Sequence, residues 1–144
     1  MNGLENKYII KNNKRLRYGY TTGSCAAGAA SGAVRMLLSG RELSEVTLPT
    51  PKGITLTLAL HDITRGDNYV SCAVRKDAGD DPDTTNGILV YVKAEKICCR
   101  DSETDNCEDI GTGAGRPQII LDGGIGVGRV TKPGLSQKIG EAAI

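Results

Sequence analysis

The chain has 144 residues, of which 39% are hydrophobic and 24% are charged. This length and composition predict one soluble globular domain with a core of its own. Its formal net charge of +1 and its aromatic content of 3% argue against a dedicated nucleic-acid binder, which needs a basic surface or aromatic stacking platforms. No stretch approaches the about 20 apolar residues of a membrane-spanning helix, and no secretion signal is visible. We therefore expect a cytoplasmic protein with no nucleic-acid and no membrane partner.

The cysteine content gives little support for a metal or disulfide framework. The five cysteines are Cys25, Cys72, Cys98, Cys99 and Cys107, and no C-x-x-C spacing occurs. A structural zinc site needs four ligands at suitable spacing, and the only histidine is His61. Disulfides are rare in chains that are not exported. The sequence therefore predicts no metal site formed by the protein, and we assign His61 no role.

The N-terminal part predicts a strand followed by a helix of small residues. Residues 2–17 are polar and basic, with a short apolar strand at 8–10. Thr22 or Ser24 can cap a helix over residues 24–39, and Gly40 is a natural C-terminal stop. The first half of this helix is nearly all Ala, Gly and Ser. Such a helix can pack very close to a sheet or to a ligand.

The rest of the chain is dominated by short strands separated by turns. Residues 54–60 alternate strictly, which places Ile54, Leu56, Leu58 and Leu60 on one face of a half-buried strand. The other predicted strands cover residues 46–49, 69–76, 87–96 and 118–121. Hairpins outnumber βαβ units, so we predict an α+β fold, a mainly antiparallel sheet with the small-residue helix packed on it.

The start of the predicted helix is a candidate anion site. A helix N-terminus carries free N–H groups and a partial positive charge, and the hydroxyl groups of Thr21, Thr22 and Ser24 can add donors. The same field would lower the pKa of the Cys25 thiol. The alternative is a capped helix with a small residue at a tight contact. No residue near Cys25 in sequence could act as its base, which argues against Cys25 as a nucleophile.

A second candidate is the acidic segment 77–83, which contains Asp77, Asp80, Asp81 and Asp83. These carboxylates could hold a divalent cation, although the spacing is not that of a calcium loop. They could also act as a general base or accept hydrogen bonds from ligand N–H groups. The structural alternative is a solvated loop in which Asp83 or Thr84 caps a turn.

A third candidate is the glycine run near the C-terminus. Gly124, Gly126 and Gly128 have the spacing G-x-G-x-G rather than G-x-G-x-x-G, and Pro133 does not suit an immediate helix, so this is not a standard dinucleotide site. Successive N–H groups can still form an anion-binding nest, or the glycines can be turns and bulges. The basic and hydroxyl side chains that follow are those of Arg129, Thr131 and Lys132.

Taken together, three segments resemble the CbiD family, the cobalt-precorrin-5B C(1)-methyltransferases of anaerobic cobalamin biosynthesis. Residues 17–27 (RYGYTTGSCAA), 76–87 (KDAGDDPDTTNG), and 124–135 (GIGVGRVTKPGL) followed by 140–144 (GEAAI) are similar to its signatures. They occur in the family's order at plausible separations, from about Leu16 to Ile144. Family members are far longer, so the resemblance implies that residues 1–144 are a single N-terminal α+β domain of a longer methyltransferase whose C-terminal α/β domain is absent.

The resemblance also implies a reaction and its participants. S-adenosylmethionine would be the co-substrate, and the absent domain is the better candidate for its site. Cobalt would arrive only as part of the tetrapyrrole substrate. The four aspartates of the acidic segment become candidates for catalysis. The helix start, the glycine run and its basic neighbours become candidates for binding the substrate carboxylates.

Two other functions stay open at this point. The same glycine loops and helix cap could belong to an anion-binding or phosphate-binding domain of another enzyme. The chain could also be a non-catalytic fragment for binding or assembly. Homo-oligomerisation is compatible with each of these functions.

Overall fold

The computed structural model of the chain describes residues 2–97 and 119–143. The chain divides into a first unit, Met1–Ser102, and a second unit, Glu103–Ile144. The elements of the first unit are, in order, β1 (Tyr8–Lys11), β2 (Lys14–Arg17), α1 (Thr22–Ser39), β3 (Glu45–Pro49), β4 (Thr55–Ala59), β5 (His61–Arg65), β6 (Tyr69–Arg75) and β7 (Leu89–Glu95). All the strand pairs are antiparallel. They form sheets in the orders β1-β2, β3-β4 and β5-β6-β7, which confirms the predicted α+β class.

Helix α1 begins and ends at residues that satisfy its free backbone groups. Thr21 is the N-cap, and its hydroxyl oxygen accepts the Ser24 N–H at 3.1 Å. The helix therefore starts two residues earlier than predicted, with Thr21 rather than Thr22 or Ser24 as its cap. At the other end Gly40 adopts φ +69°, and its N–H donates to the Met36 carbonyl at 3.0 Å, which confirms the predicted glycine stop.

The core lies where α1 packs on the strands β3, β6 and β7. Buried helix residues recur at helical spacing, as in Cys25, Ala29 and Met36. The predicted alternation of β4 is confirmed, since Leu56 and Leu58 are buried. Because α1 presents glycines at Gly28 and Gly32, the side chains of Leu58 and Leu60 come so close that an added Cβ would lie 2.5 and 2.6 Å from their methyl groups.

The β1–β2 hairpin forms a separate two-stranded sheet in the first unit. Asn12 and Asn13 have φ values of +50° and +60°, as both central residues of a two-residue type I′ turn require. Only β1 was expected from the sequence. The strand β2, Lys14–Arg17, reads as polar and basic, because a strand that is largely exposed on both faces has no apolar alternation to reveal it.

Two further differences concern short strands. The sequence analysis left residues 61–64 unassigned, whereas the structure forms β5 from His61 to Arg65, paired with β6. Of the strand predicted at 118–121, residues 119–121 are described and form no strand. Ile119, Ile120 and Leu121 are exposed, so that prediction was wrong there, because an apolar run forms a strand only beside a partner. Cys98, Cys99, Cys107 and residue 118 lie outside the described residues.

The second unit is described from residue 119 to residue 143. Arg129 and Ala142 form an isolated antiparallel bridge, flanked by bonds from the Val130 N–H to the Glu141 carbonyl at 2.9 Å and from the Ala143 N–H to the Gly128 carbonyl at 2.9 Å. Val130 and Ala142 are its buried apolar residues among those described. Residues 2–97 and 119–143 contain no helix with the length and apolar character needed to cross a bilayer.

Candidate functional site

The first unit contains a cleft of about 810 Å³, within the range of small-molecule sites in proteins. Three segments line it: one side of the β1–β2 hairpin, residues 17–23, and residues 76–83 after β6. Residues 17–23 lead from β2 into α1, and residues 76–83 contain the predicted acidic segment 77–83. The cleft therefore brings together two segments that are about 60 residues apart in sequence.

The two segments cross with their backbones in close contact. The Tyr20 N–H donates to the Asp77 carbonyl at 2.8 Å, and the Asp80 N–H donates to the Arg17 carbonyl at 3.2 Å. A Cβ on Gly19 would lie 2.1 Å from the Ala78 carbonyl carbon. Gly79 has φ +66°, and a Cβ there would lie 2.4 Å from the Arg17 carbonyl oxygen. Both positions therefore need glycine for a structural reason, which the sequence analysis did not anticipate.

Arg17 and Asp77 join the two segments through a bidentate ion pair. The two terminal guanidinium nitrogens of Arg17 donate to the two Asp77 oxygens at 2.7 and 2.8 Å. Asp77 also accepts the Gly79 N–H at 2.9 Å. These hydrogen bonds, first of all that from Arg17, lower the pKa of the Asp77 carboxyl. A carboxylate held this way is a weak base, so its position favours a structural role.

Lys76 and Asp83 form the second ion pair of the loop. Lys76 is only 6% exposed, and its ammonium group donates to Asp83 and to the Thr85 hydroxyl, the latter at 2.6 Å. Asp83 also accepts the Thr85 N–H at 2.7 Å. The hydrogen bond from Lys76, followed by those from Thr85, holds the pKa of Asp83 well below its ordinary value. The predicted turn cap at Asp83 is thus combined with the neutralisation of a buried charge.

The other two aspartates of the loop are less engaged. Asp80 accepts the Arg17 N–H at 2.7 Å through one carboxylate oxygen. The Asp81 side chain is exposed and lines the cleft, and it makes no hydrogen bond or ion pair with the described residues. Of the four predicted catalytic aspartates, Asp81 is therefore the one whose carboxylate is free to accept a proton or a ligand N–H.

The start of α1 contributes part of the predicted anion site. Thr21, Thr22 and Gly23 line the cleft, whereas Ser24 and Cys25 do not. The Cys25 side chain is fully buried in the core. Burial raises the pKa of its thiol to about 11, so the predicted lowering by the helix field was wrong. Loss of solvation outweighs the helix field at this position.

The glycine run and its basic residues lie in the second unit. Gly126 has φ +87°, and the Val127 N–H donates to the Gly124 carbonyl at 3.2 Å, which is a turn. A Cβ on Gly124, Gly126 or Gly128 would meet nothing within 4 Å. Thr131 and Lys132 are exposed. An anion nest there stays a prediction.

Arg129 has a partner that the sequence analysis missed. Its guanidinium donates to the two Asp122 oxygens at 2.6 and 3.1 Å and to the Gly123 carbonyl at 2.9 Å. This pairing lowers the pKa of Asp122 and partly neutralises the cation that was predicted to bind substrate.

The partners of the aspartates in the first unit were not predicted from the sequence. They are Arg17, Lys76 and Thr85. A basic residue at the start of each of the segments 17–27 and 76–87 is the only sequence signal for the first two.

In residues 2–97 and 119–143, no three or more His, Cys, Asp or Glu side chains are grouped so that they could hold a metal ion. The acidic segment is built instead around Arg17 and Lys76. The interpretation of this segment as a divalent-cation loop therefore has no geometric support among the described residues.

Comparison with known proteins places the chain among relatives of one kind. A family model described as CbiD matches residues 9–144. The chain is 46% identical to a cobalt-precorrin-5B C(1)-methyltransferase of Ruminiclostridium cellulolyticum, over 96% of this chain and 31% of that protein. It is 47% identical to a protein of the same name from Alkaliphilus metalliredigens, over 96% of this chain and 32% of that protein. A Thermoanaerobacter relative of that name is 46% identical, over 95% and 33%.

The chain thus spans about a third of the length of these curated relatives. No solved structure shows significant similarity to it. The family match covers both segments that meet in the cleft and the glycine run of the second unit. By this match, the chain belongs to the CbiD family.

Proposed function

We propose that this chain forms part of a cobalt-precorrin-5B C(1)-methyltransferase of anaerobic cobalamin biosynthesis, and that the cleft of its first unit receives the tetrapyrrole. One observation carries this proposal. Two of the three segments that resemble the family, residues 17–27 and 76–87, meet in a single cleft of small-molecule size. The relatives' name supplies the reaction. The proposal includes the cytoplasmic location predicted from the sequence.

The charges of the cleft suit a macrocycle better than a free anion. Arg17 and Lys76, two cations that line it, are already paired with Asp77 and Asp83. The unpaired carboxylate of Asp81 faces the cleft and would repel a substrate carboxylate placed beside it. It can instead attract a sulfonium cation or remove a ring proton as C(1) gains its methyl group.

S-adenosylmethionine supplies an already activated methyl group when it is bound. The carbon–sulfur bond breaks as the ring carbon supplies the electron pair for the new carbon–carbon bond, so alignment of the two reactants is the main task of the protein. In this proposal Asp81 removes the ring proton, and the backbone contact at Gly19 and Gly79 holds the loop that carries Asp81 in place. The remaining length of the relatives, proposed as a C-terminal α/β domain, holds the donor.

The first test is a titration of the folded chain with cobalt uroporphyrin, a cobalt tetrapyrrole with carboxylate side chains, followed by absorbance. We expect saturable binding that Gly23→Leu weakens by about tenfold or more, because that glycine lines the cleft at the first turn of α1. Ala27→Leu is the matched control, since Ala27 is an exposed residue one turn later that does not line the cleft. Absence of saturable binding, or equal weakening by both variants, contradicts the proposal. Tight binding of inorganic phosphate without tetrapyrrole binding favours an anion-binding domain instead.

A further inference from the structure

The β1–β2 hairpin presents one of its two faces to the cleft. Ile9 pairs with Leu16 and Lys11 pairs with Lys14, and directly opposed residues of an antiparallel pair share a face. Ile9, Lys11 and Leu16 all line the cleft. This face therefore has an apolar pair near the base of the hairpin, with a pair of lysines next to the turn.

The opposite face of the hairpin has one residue at the cleft, Arg17, which pairs with Tyr8 at the open end of the hairpin. Tyr8, Ile10 and Arg15 belong to it by alternation, and none of them lines the cleft. The Arg15 guanidinium instead lies 3.6 Å from the centroid of the Tyr8 ring. The hairpin thus carries apolar and cationic residues on both faces, and apart from Arg17 the residues that adjoin the cleft are on one face. Ile10 and Arg15 therefore serve as outer-face controls for Ile9 and for the lysines.

Lys11 lines the cleft, and Lys14 is its cross-strand partner on the same face of the hairpin, next to the turn. Both are exposed, and neither forms an ion pair with the described residues. By contrast, Arg17 and Lys76, which also line the cleft, are paired with aspartates. The cleft therefore combines paired cations and the free Asp81 carboxylate with an apolar pair and unpaired lysines on the hairpin face.

We propose that the β1–β2 hairpin is a recognition arm for the rim of the tetrapyrrole, with Ile9 and Leu16 against the face of the macrocycle and Lys11 and Lys14 on its carboxylate side chains. This inference rests on the proposed function, whose cleft supplies the rest of the site. The type I′ turn at Asn12 and Asn13 fixes the register of the arm, and with it the separation between the apolar pair and the lysines. The ligand class follows from complementarity, because an apolar ring edged by carboxylates matches an apolar wall edged by ammonium groups.

The test compares charge removal on the two faces in the cobalt uroporphyrin titration. The double variant Lys11→Gln/Lys14→Gln is expected to weaken binding by about tenfold at low salt, the effect of losing two exposed charge pairs. Its affinity should also depend less on salt concentration than that of the unmodified chain. Arg15→Gln, which removes a cation from the outer face, should leave both the affinity and its salt dependence unchanged.

The apolar part of the arm has its own pair of variants. Ile9→Thr keeps a β-branched residue in the strand but removes apolar surface from the cleft side, so it should weaken binding without altering the salt dependence. Ile10→Thr makes the same change on the outer face and should leave binding as it was. All these positions are exposed, and circular dichroism verifies that the variants remain folded.

The outcomes separate the arm from the function on which it rests. Unmodified chain that fails to bind cobalt uroporphyrin overturns both proposals. Unmodified chain that binds, together with an unchanged affinity in Lys11→Gln/Lys14→Gln, overturns the arm and leaves the cleft as the site. If Arg15→Gln weakens binding as much as Lys11→Gln/Lys14→Gln does, the arm is also overturned, because the ligand then responds to positive charge on either face of the hairpin. Selective weakening by the inner-face variants supports it.

Discussion

At the residue scale, neighbouring aspartates of one loop have different chemistry because they have different partners. Asp77 and Asp83 are held by Arg17 and Lys76, and the pKa of each carboxyl is lowered. Asp81 lacks such a partner among the described residues and lines the cleft. The residues that stabilise the loop are therefore separable from the one available for chemistry.

The Lys76–Asp83 pair predicts an acid-dependent stability. The pKa of Asp83 is lower in the folded chain than its ordinary value of about 3.9 in the unfolded chain. The ionised carboxylate therefore stabilises the fold above about pH 4, and this contribution is lost as the pH falls further. Asp83→Asn should lower the urea midpoint at pH 7, because Lys76 is left buried without its carboxylate. It should also flatten the fall of that midpoint below about pH 4.

Asp81→Asn is the matched control on the same loop. It leaves the Lys76–Asp83 pair intact, so the stability and its dependence on pH should follow the unmodified chain. Under the proposed function, its effect is expected in methyl transfer by the full-length protein, as a lower kcat with little change in substrate binding. If the urea midpoint depends on pH in the same way in Asp83→Asn and in the unmodified chain, the structural role of the Lys76–Asp83 pair is refuted.

At the element scale, the close approach of α1 to the side chains of Leu58 and Leu60 depends on glycines in the helix. Gly28 faces the fully buried Leu58, and Gly32 faces Leu60. Glycine inside a helix is unfavourable by up to about 1 kcal/mol relative to alanine. Its presence here lets the helix backbone approach the leucine side chains, and the added packing offsets that loss.

Replacing the first of these glycines should force the helix away from the sheet. A Cβ on Gly28 would lie 2.5 Å from a Leu58 methyl carbon, so Gly28→Val should destabilise the chain by about 1–3 kcal/mol, as overpacked cores do. Ala27→Val adds the same β-branched side chain on the exposed side of α1, and should cost less than about 1 kcal/mol. Urea unfolding measures both, and similar losses would indicate a propensity effect rather than close packing.

At the scale of the whole molecule, the N-terminal segment is tied to a distant loop by the crossing of Gly19 and Gly79. The contact joins backbone to backbone, so neither side can yield by changing a rotamer. It links the β1–β2 hairpin and the start of α1 to the acidic segment, and the cleft exists only while these remain together. The proposed site is thus a product of long-range topology.

Gly19→Ala tests this dependence. Because the new Cβ would lie 2.1 Å from the Ala78 carbonyl carbon, the two segments must separate, and the hairpin loses one of its attachments. We expect a lower thermal midpoint and faster trypsin cleavage after Lys11, Lys14 and Arg15. Gly53→Ala is the control, since Gly53 has open space around it. Its positive φ can lower stability, but cleavage at the hairpin should not accelerate unless the crossing is irrelevant.

The features that depend on residues close together in the chain could be predicted from the sequence. The body of α1, its stop at Gly40 and the alternation of β4 follow from local propensity, capping and periodicity. The same is true of the antiparallel class, since short strands joined by turns pair with their neighbours. The family resemblance also came from contiguous segments, and the family match confirms it.

Which of the candidate residues can act depends on contacts between distant parts of the chain. The Arg17–Asp77 pair joins residues 60 positions apart, and no local pattern encodes such a contact. Burial, rather than position at a helix start, fixed the state of Cys25. The face of β1 that adjoins the cleft was likewise set by its pairing with β2, a strand with no apolar signature. Charge pairing, solvation and the choice of which strand face adjoins a cleft are properties of packed surfaces. They therefore arise only once the chain has folded.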